Sequence, residues 1–417
     1  MNLKKGLWKI LGPVIAAFVL VLAVLFFPQG FGNVSSKTEQ RAAVSLSNNI
    51  FKGNKIKSQA IRHGYVPFIG SSELARMDPM HPSSLAMKYH RGYKPFLLGK
   101  PGTQSIVHFF AMQGMMSELR NRKLVFVVSP QWFTKQGQMP EAFDYYYSPL
   151  ETIDWVIHAN NTVANRYAAK RLLTMPSASS SAVMKSAVTN IAAGKPITKS
   201  QRFYLGMEEK LLGNEDGLFS RFVSGHRLDM IKNDQKQLPD KYNKSKLYQI
   251  SSRLAAKDTD NNRFNIKNSF YNLRLRGRTV KNLKGAEASF NYTKSPEYSD
   301  LELMLNQFNR YHINVLFVIP PVNQKWAKYT GLSQKMYEKT DRKIVYQLHQ
   351  QGFYHIADLT NDGGKKYFME DTIHLGWNGW LKVDDSVDPF LTKKQAPYHY
   401  HIDNRFFSKK WQMSTKY

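Results

Sequence analysis

The chain has 417 residues, enough for one large domain with an insertion or for two ordinary domains. Its 59 Lys+Arg against 31 Asp+Glu give a formal charge of +28, which attracts polyanions: nucleic acid, anionic lipid or a phosphate-rich polymer. It contains no cysteine, which excludes disulfides, thiol catalysis and thiolate-bound metals.

The first predicted element is the run Ile10 to Phe27, "ILGPVIAAFVLVLAVLFF", uncharged and mostly apolar. As a helix it would extend about 27 Å, nearly the thickness of a bilayer core. The following "FFPQGFGN" lacks the small-x-small pattern of a cleavage site, so the run reads as an uncleaved transmembrane anchor over 10–28. Lys4, Lys5 and Lys9 precede it, so residues 1–9 are expected in the cytoplasm and 29–417 outside the membrane. Three charges fewer than +28 leaves +25 on the outer part, where nucleic acid is not the expected partner and an envelope polymer or lipid head group is.

After a polar stretch, short apolar runs alternate with helical patterns. "YVPFIG" (65–70), "PFLLG" (95–99), "KLVFVVSP" (123–130), "INVLFVIPP" (313–321) and "FYHIADLT" (353–360) predict five buried strands. Ile106, Phe109, Phe110, Met116 and Leu119 share one helix face, and Leu301, Leu305, Phe308 and Tyr311 another. Such alternation predicts an α/β fold, a mostly parallel five-stranded sheet flanked by helices, whose ligands bind beyond the carboxyl ends of the strands.

Residues 140–296 break the alternation. They are basic, show helical segments such as "VANRYAAKRLLTM" (163–175) and no clear strand, and predict a helical insertion capping the sheet. "PSASSSA" (176–182) reads as a loop. The tail "YHYHIDNRFFSKKWQ" (398–412) mixes aromatic and basic residues, consistent with a surface contact or with a packed extension.

Two places carry candidate chemistry. In "YVPFIGSSELARMDP" two serines follow the first strand; a serine there commonly caps a helix, and it can also be a nucleophile at a sheet's ligand end. After the last strand comes "MEDTIHLGWNGW". Asp371 and His374 are three apart, so in a turn of helix the carboxylate reaches the imidazole, fixes its tautomer and stabilises its protonated form. Either motif alone is weak; both at the ligand end of one sheet are more specific. His399 and His401 alternate without further ligands nearby, and no phosphate or dinucleotide glycine fingerprint is present, so neither a metal nor a cofactor is predicted.

With these motifs the sequence resembles the SGNH (GDSL-type) hydrolases. The resemblance implies Ser72 as nucleophile, with Ser71 standing where that family has Asp, His374 as base and Asp371 as its orienting acid. For the oxyanion hole it implies the Ser72 N–H and Gly99; no Gly-x-Asn-Asp follows the third strand, so Gln131 or a nearby N–H would have to serve.

"FIGSSEL", "FLLGKPGTQS", "VFVVSPQWF", the basic insertion and "DTIHLGWNGW" together resemble a narrower family over nearly the whole chain, the D-alanyl-lipoteichoic acid biosynthesis (DltD) proteins of Gram-positive envelopes. That resemblance implies D-alanyl transfer onto lipoteichoic acid, a polyglycerol phosphate, through a serine acyl-enzyme. The implied pathway partners are a membrane-bound O-acyltransferase and a D-alanyl carrier protein. The same residues would also suit an esterase or thioesterase removing D-alanyl groups, and the basic cap a non-enzymatic polymer-binding scaffold. Lys170, Arg171, Arg274, Arg276 and Arg278 of the insertion are the candidate contacts to the polymer.

Overall fold

The structure is a computed structural model that describes residues 3–26, 33–179, 181–223 and 225–417. Five strands form one sheet: β1 (Tyr65–Gly70), β2 (Lys94–Gly99), β3 (Lys123–Val127), β4 (Asn314–Ile319) and β5 (Ile356–Asp358). The order is β2-β1-β3-β4-β5 and every pairing is parallel.

Helices cover both faces, so the strands read as nearly unbroken apolar runs; all six residues of β4 are buried. Alternate residues feed opposite cores. Ile69, Phe126 and Phe317 join Ile106, Phe110, Leu301, Phe308 and Ile344 on one side. Phe68, Val125 and Leu316 join Leu85, Trp380, Leu381 and Val387 on the other.

Strand ends differ from the sequence reading where other chemistry takes over the backbone. β3 ends at Val127, shortly before the 3-10 turn Pro130–Trp132, since proline has no N–H for the ladder. β4 ends at Ile319, before Pro320 and Pro321. β5 keeps three residues of the eight predicted, and the Asp358 carboxylate turns the chain by accepting Thr360 N at 2.9 Å. The helix predicted through Leu119 stops at Ala111, because the Ala111 carbonyl accepts from the buried Lys57 ammonium and Gly114 N donates to Glu151 at 2.6 Å.

Between β3 and β4 the described residues form helices and no strand. The longest are Lys199–Phe219 and Lys244–Asp258. Apolar residues of the segment enter both cores, Ile153, Trp155 and Leu172 in the first and Leu228, Ile231 and Leu247 in the second. The segment therefore wraps the sheet on both faces rather than capping one end. The stretch 176–182 holds the 3-10 turn Pro176–Ser179 before the helix Ala182–Ala192.

The C-terminal tail is a packed extension. Tyr400 stacks on Phe353 at 3.9 Å between ring centroids, Trp411 Nε1 donates to Gln347 at 2.9 Å, and the Lys343 ammonium donates to the carbonyls of Trp411 and Ser414.

At the other end, the helix Leu3–Phe26 leaves Trp8, Ile10, Val14, Phe18 and Leu20 exposed. Among the described residues no helix is long and apolar enough to cross a membrane. The anchor predicted over 10–28 falls partly outside the description, with residues 27 and 28 undescribed and residues 21–26 undescribed in their side chains.

Candidate active site

The strand order reverses at β1, with β2 on one side of it and β3 on the other. Open α/β sheets bind ligands beyond the strand ends at such a reversal. β1 ends in Gly70 and runs directly into a 3-10 turn, Ser72–Ala75. The Gly70 carbonyl is held by Thr103 Oγ1 at 3.0 Å and by His108 Nε2 at 2.7 Å. Burial drives His108 down to about 3, so its ring is neutral and donates one proton to that carbonyl.

Neither serine caps the turn. Ser71 Oγ donates to Lys100 O at 3.0 Å and accepts from Gly102 N at 3.2 Å, tying the turn to the loop after β2. Ser72 Oγ lies 2.7 Å from His374 Nε2. The two hydroxyls thus have different tasks, and it is Ser72 that meets the imidazole.

His374 Nδ1 lies 2.9 and 2.8 Å from the two oxygens of Asp371. An ionised carboxylate only accepts, so Nδ1 carries the proton and Nε2 is free to accept from the serine. Asp371 Oδ1 also takes the N–H groups of Ile373 and His374, at 2.9 and 3.0 Å. Burial alone would raise this carboxyl, but the imidazole, these amides and Arg76 hold it below its ordinary value.

The Asp-x-x-His spacing works here in a loop, not in the helical turn expected from sequence. The loop is closed by an antiparallel bridge between Met369 and Leu375, and the helix begins only at Trp377. Asp371 turns back on the backbone of its own loop, which brings residues three apart onto one side as a helix would. Asp78, just past the serine turn, accepts Trp377 N at 2.6 Å and so locks the two halves of the site together.

Around the turn lie groups that the sequence reading did not single out. Glu73 reaches back to accept Ser71 N at 2.6 Å, and burial pushes its carboxyl up. Arg76 Nη2 lies 3.4 Å from Asp371 Oδ2. The spacing Ser72 to Arg76 is one helical turn, a signal available in "SSELAR" but easily taken for an ordinary surface charge.

Gly99 sits at the end of β2 beside Gly70. A Cβ there would lie 2.7 Å from Ser71 O, 2.8 Å from Gly70 O and 2.8 Å from Leu74 Cδ1, so only glycine lets the strand end pass under the serine turn. Gly99→Ala is expected to cost about 1–3 kcal/mol of stability as backbone is forced aside. By moving Ser72 it should also lower activity on the order of 100-fold. Thermal melting and turnover measure the two effects, and a variant unchanged in both would show that the turn has room to spare.

Gln131 lies on the turn after β3, at the same end of the sheet. Its side chain lies within reach of the buried Tyr337 phenol. Of the predicted polymer contacts, Lys170, Arg274, Arg276 and Arg278 are exposed. Arg171 is occupied elsewhere: its guanidinium binds buried Asp300, with Nη2 at 2.8 Å from Oδ2, which makes it a strut of the fold rather than a free contact.

The family described as "DltD protein" matches residues 43–392. The chain belongs to the DltD family. It is similar to Protein DltD of Lacticaseibacillus rhamnosus, 46% identical over 99% of this chain and 97% of that protein. It is also similar to Protein DltD of Bacillus subtilis (strain 168), 31% identical over 92% of this chain and 97% of the relative. Protein DltD of Staphylococcus aureus (strain NCTC 8325 / PS 47) is 28% identical over 92% and 96%. The match to the DltD family spans the serine turn, all five strands and the Asp371–His374 loop.

Proposed function

We propose that this DltD-family chain is a serine acyltransferase acting in the D-alanylation of lipoteichoic acid at the outer face of the membrane. The observation that carries the reading is the continuous relay from Ser72 Oγ to His374 to the buried Asp371 carboxylate. Ser72 Oγ attacks the carbonyl of a D-alanyl ester or thioester while His374 Nε2 takes its proton. Asp371 stabilises the imidazolium so formed. Collapse of the tetrahedral intermediate expels the donor's alcohol or thiol, which receives that proton and leaves a D-alanyl-serine ester. A glycerol hydroxyl of the polymer then attacks the ester, again giving its proton to His374, which returns it to Ser72.

The oxyanion formed at each stage needs N–H donors. The Ser72 N–H, the Gly99 backbone and the Gln131 amide fill that role in this reading, and the position of Gln131 on the turn after β3, at the same end of the sheet, supports it. The apolar run Ile10 to Phe27 acts as the anchor, with the short lysine-bearing N-terminus in the cytoplasm. The acyl donor comes from the membrane-bound O-acyltransferase and D-alanyl carrier protein of the pathway. Exposed Lys170, Arg274, Arg276 and Arg278 contribute to attraction of the polyanion.

Acid quenching of the full chain during turnover with a D-alanyl donor, followed by peptide mass analysis, tests the mechanism. A D-alanyl adduct on Ser72 that disappears when polymer is added is expected. Turnover without any adduct, or an adduct on another residue, would refute it; release of D-alanine to water with polymer present would favour the esterase instead.

A further inference from the structure

Three cations gather around the Ser72 turn, and two of them have no carboxylate partner among the described residues. Arg76 follows the turn directly. Its Nη2 touches Asp371, but its Nε is buried with no hydrogen-bond partner among the described residues, and its guanidinium lies 5.7 Å from the centroid of the Phe270 ring. Arg227, brought in from the insertion, donates from Nη1 to the carbonyl of Ala75, the last residue of the same turn, at 3.2 Å. Lys100 follows β2; its carbonyl accepts the Ser71 hydroxyl, and its ammonium donates to the carbonyl of Leu46 and lies 5.9 Å from the centroid of the Tyr146 ring.

The carboxylates of the neighbourhood are engaged elsewhere. Asp371 serves His374, Glu370 pairs with Lys267 at 3.2 Å, Asp78 holds two backbone N–H groups and Glu73 holds Ser71 N. Neither Arg227 nor Lys100 has a carboxylate within ion-pair distance among the described residues. Burial first, and then repulsion between Arg227 and Arg76 and between Lys100 and Arg227, weakens the hold of Arg227 and Lys100 on their protons. A fold that keeps like charges together beside a nucleophile is relieved by an anion.

We propose that Arg76, Arg227 and Lys100 form a subsite for a phosphodiester of the acceptor polymer, placing the neighbouring polyol hydroxyl at Ser72. The inference rests on the acyl-transfer reading for its choice of anion. A D-alanyl ester brings an ammonium and no free carboxylate, so three cations repel the amino acid itself. The phosphodiester of a polyol phosphate has the tetrahedral oxygens that guanidinium groups bind in pairs. The subsite thus discriminates the two substrates, admitting the polymer backbone where the D-alanyl ammonium is excluded.

The probe is glycerophosphoglycerol, a single phosphodiester between two glycerols, titrated calorimetrically into the full chain carrying Ser72→Ala, with glycerol as the neutral control. Saturable binding that weakens with salt is expected, with glycerol silent. Arg227→Gln and Lys100→Gln should each weaken it about 10-fold, the scale of one charge-assisted hydrogen bond. Arg120→Gln, exposed just before β3 at the opposite end of the sheet, should leave it unchanged. Arg76→Gln also touches Asp371, so the two other variants, checked for unchanged melting, decide the matter. No saturable binding, wild-type affinity in Arg227→Gln and Lys100→Gln, or an equal loss in Arg120→Gln would each overturn the subsite. Because the titration is done without the serine hydroxyl, it stands apart from the acyl-transfer reading. An adduct on Ser72 with a failed titration removes only the subsite, and a successful titration without any adduct removes only the chemistry.

Discussion

Ser72→Ala is expected to reduce D-alanine ester on lipoteichoic acid to the level of cells lacking the protein, with folding unchanged. Among the described residues the hydroxyl makes one polar contact, the 2.7 Å bond to His374 Nε2, so alanine removes a small, partly exposed group and leaves no large cavity. What it removes chemically is the only atom that can carry the acyl group in the proposed route. Loss of a nucleophile in a serine triad costs on the order of 10⁶-fold in turnover. D-alanine released from the polymer by mild base, compared between wild type and variant at equal protein level, gives the result. Incorporation near wild type would leave the turn as a structural element and raise the scaffold reading.

Asp371→Asn should lower turnover on the order of 10⁴-fold while leaving Ser72 and His374 in place. An amide at this position cannot fix the Nδ1–H tautomer as the carboxylate does, and it offers the imidazolium no countercharge. The variant also has a signature in stability. The Asp371 carboxyl is held below its ordinary value in the folded protein. An ionised group with a depressed folded value contributes stability that is fully present above the unfolded carboxylate value, about 4. That contribution is lost as pH falls through the lower folded value. The stability difference between wild type and Asp371→Asn should therefore be constant at neutral pH and shrink on acidification below about 4. Denaturant melts across that range provide the check, and a pH-independent difference would mean that the carboxylate is not held in its charged form.

Much of the fold was legible because burial on both faces writes itself as runs of apolar residues. β1 and β2 match their predicted runs to within a residue for this reason. Edge strand β5 was overread, since its flanking residues are apolar for packing on helices and not for pairing. The serine and the Asp-x-x-His were legible as local patterns, yet the geometry joining Asp371 to His374 was not: three-residue spacing suits a helix, and only the Asp371 contacts to its own loop reveal another solution. Arg171 illustrates the opposite limit. Its partner Asp300 is 129 residues away, so nothing local distinguishes an arginine bound into the fold from one free to meet a polymer. Arg76 and Arg227 escaped notice for the same reason, because their proximity exists only after the insertion has wrapped back onto the serine turn.

The serine and its base are 302 positions apart in the chain. Synthesis runs from the N-terminus, so Ser72 emerges long before the loop that carries His374. The intervening residues must place β3, the wrapping helices, β4 and β5 before Asp371 and His374 can arrive, and contacts of such separation form late because they close the largest loops. A partly made chain therefore carries an unarmed hydroxyl. On the proposed route, reactivity is delayed until the Asp371–His374 loop has folded against the serine turn, so late folding itself acts as the safety catch on Ser72.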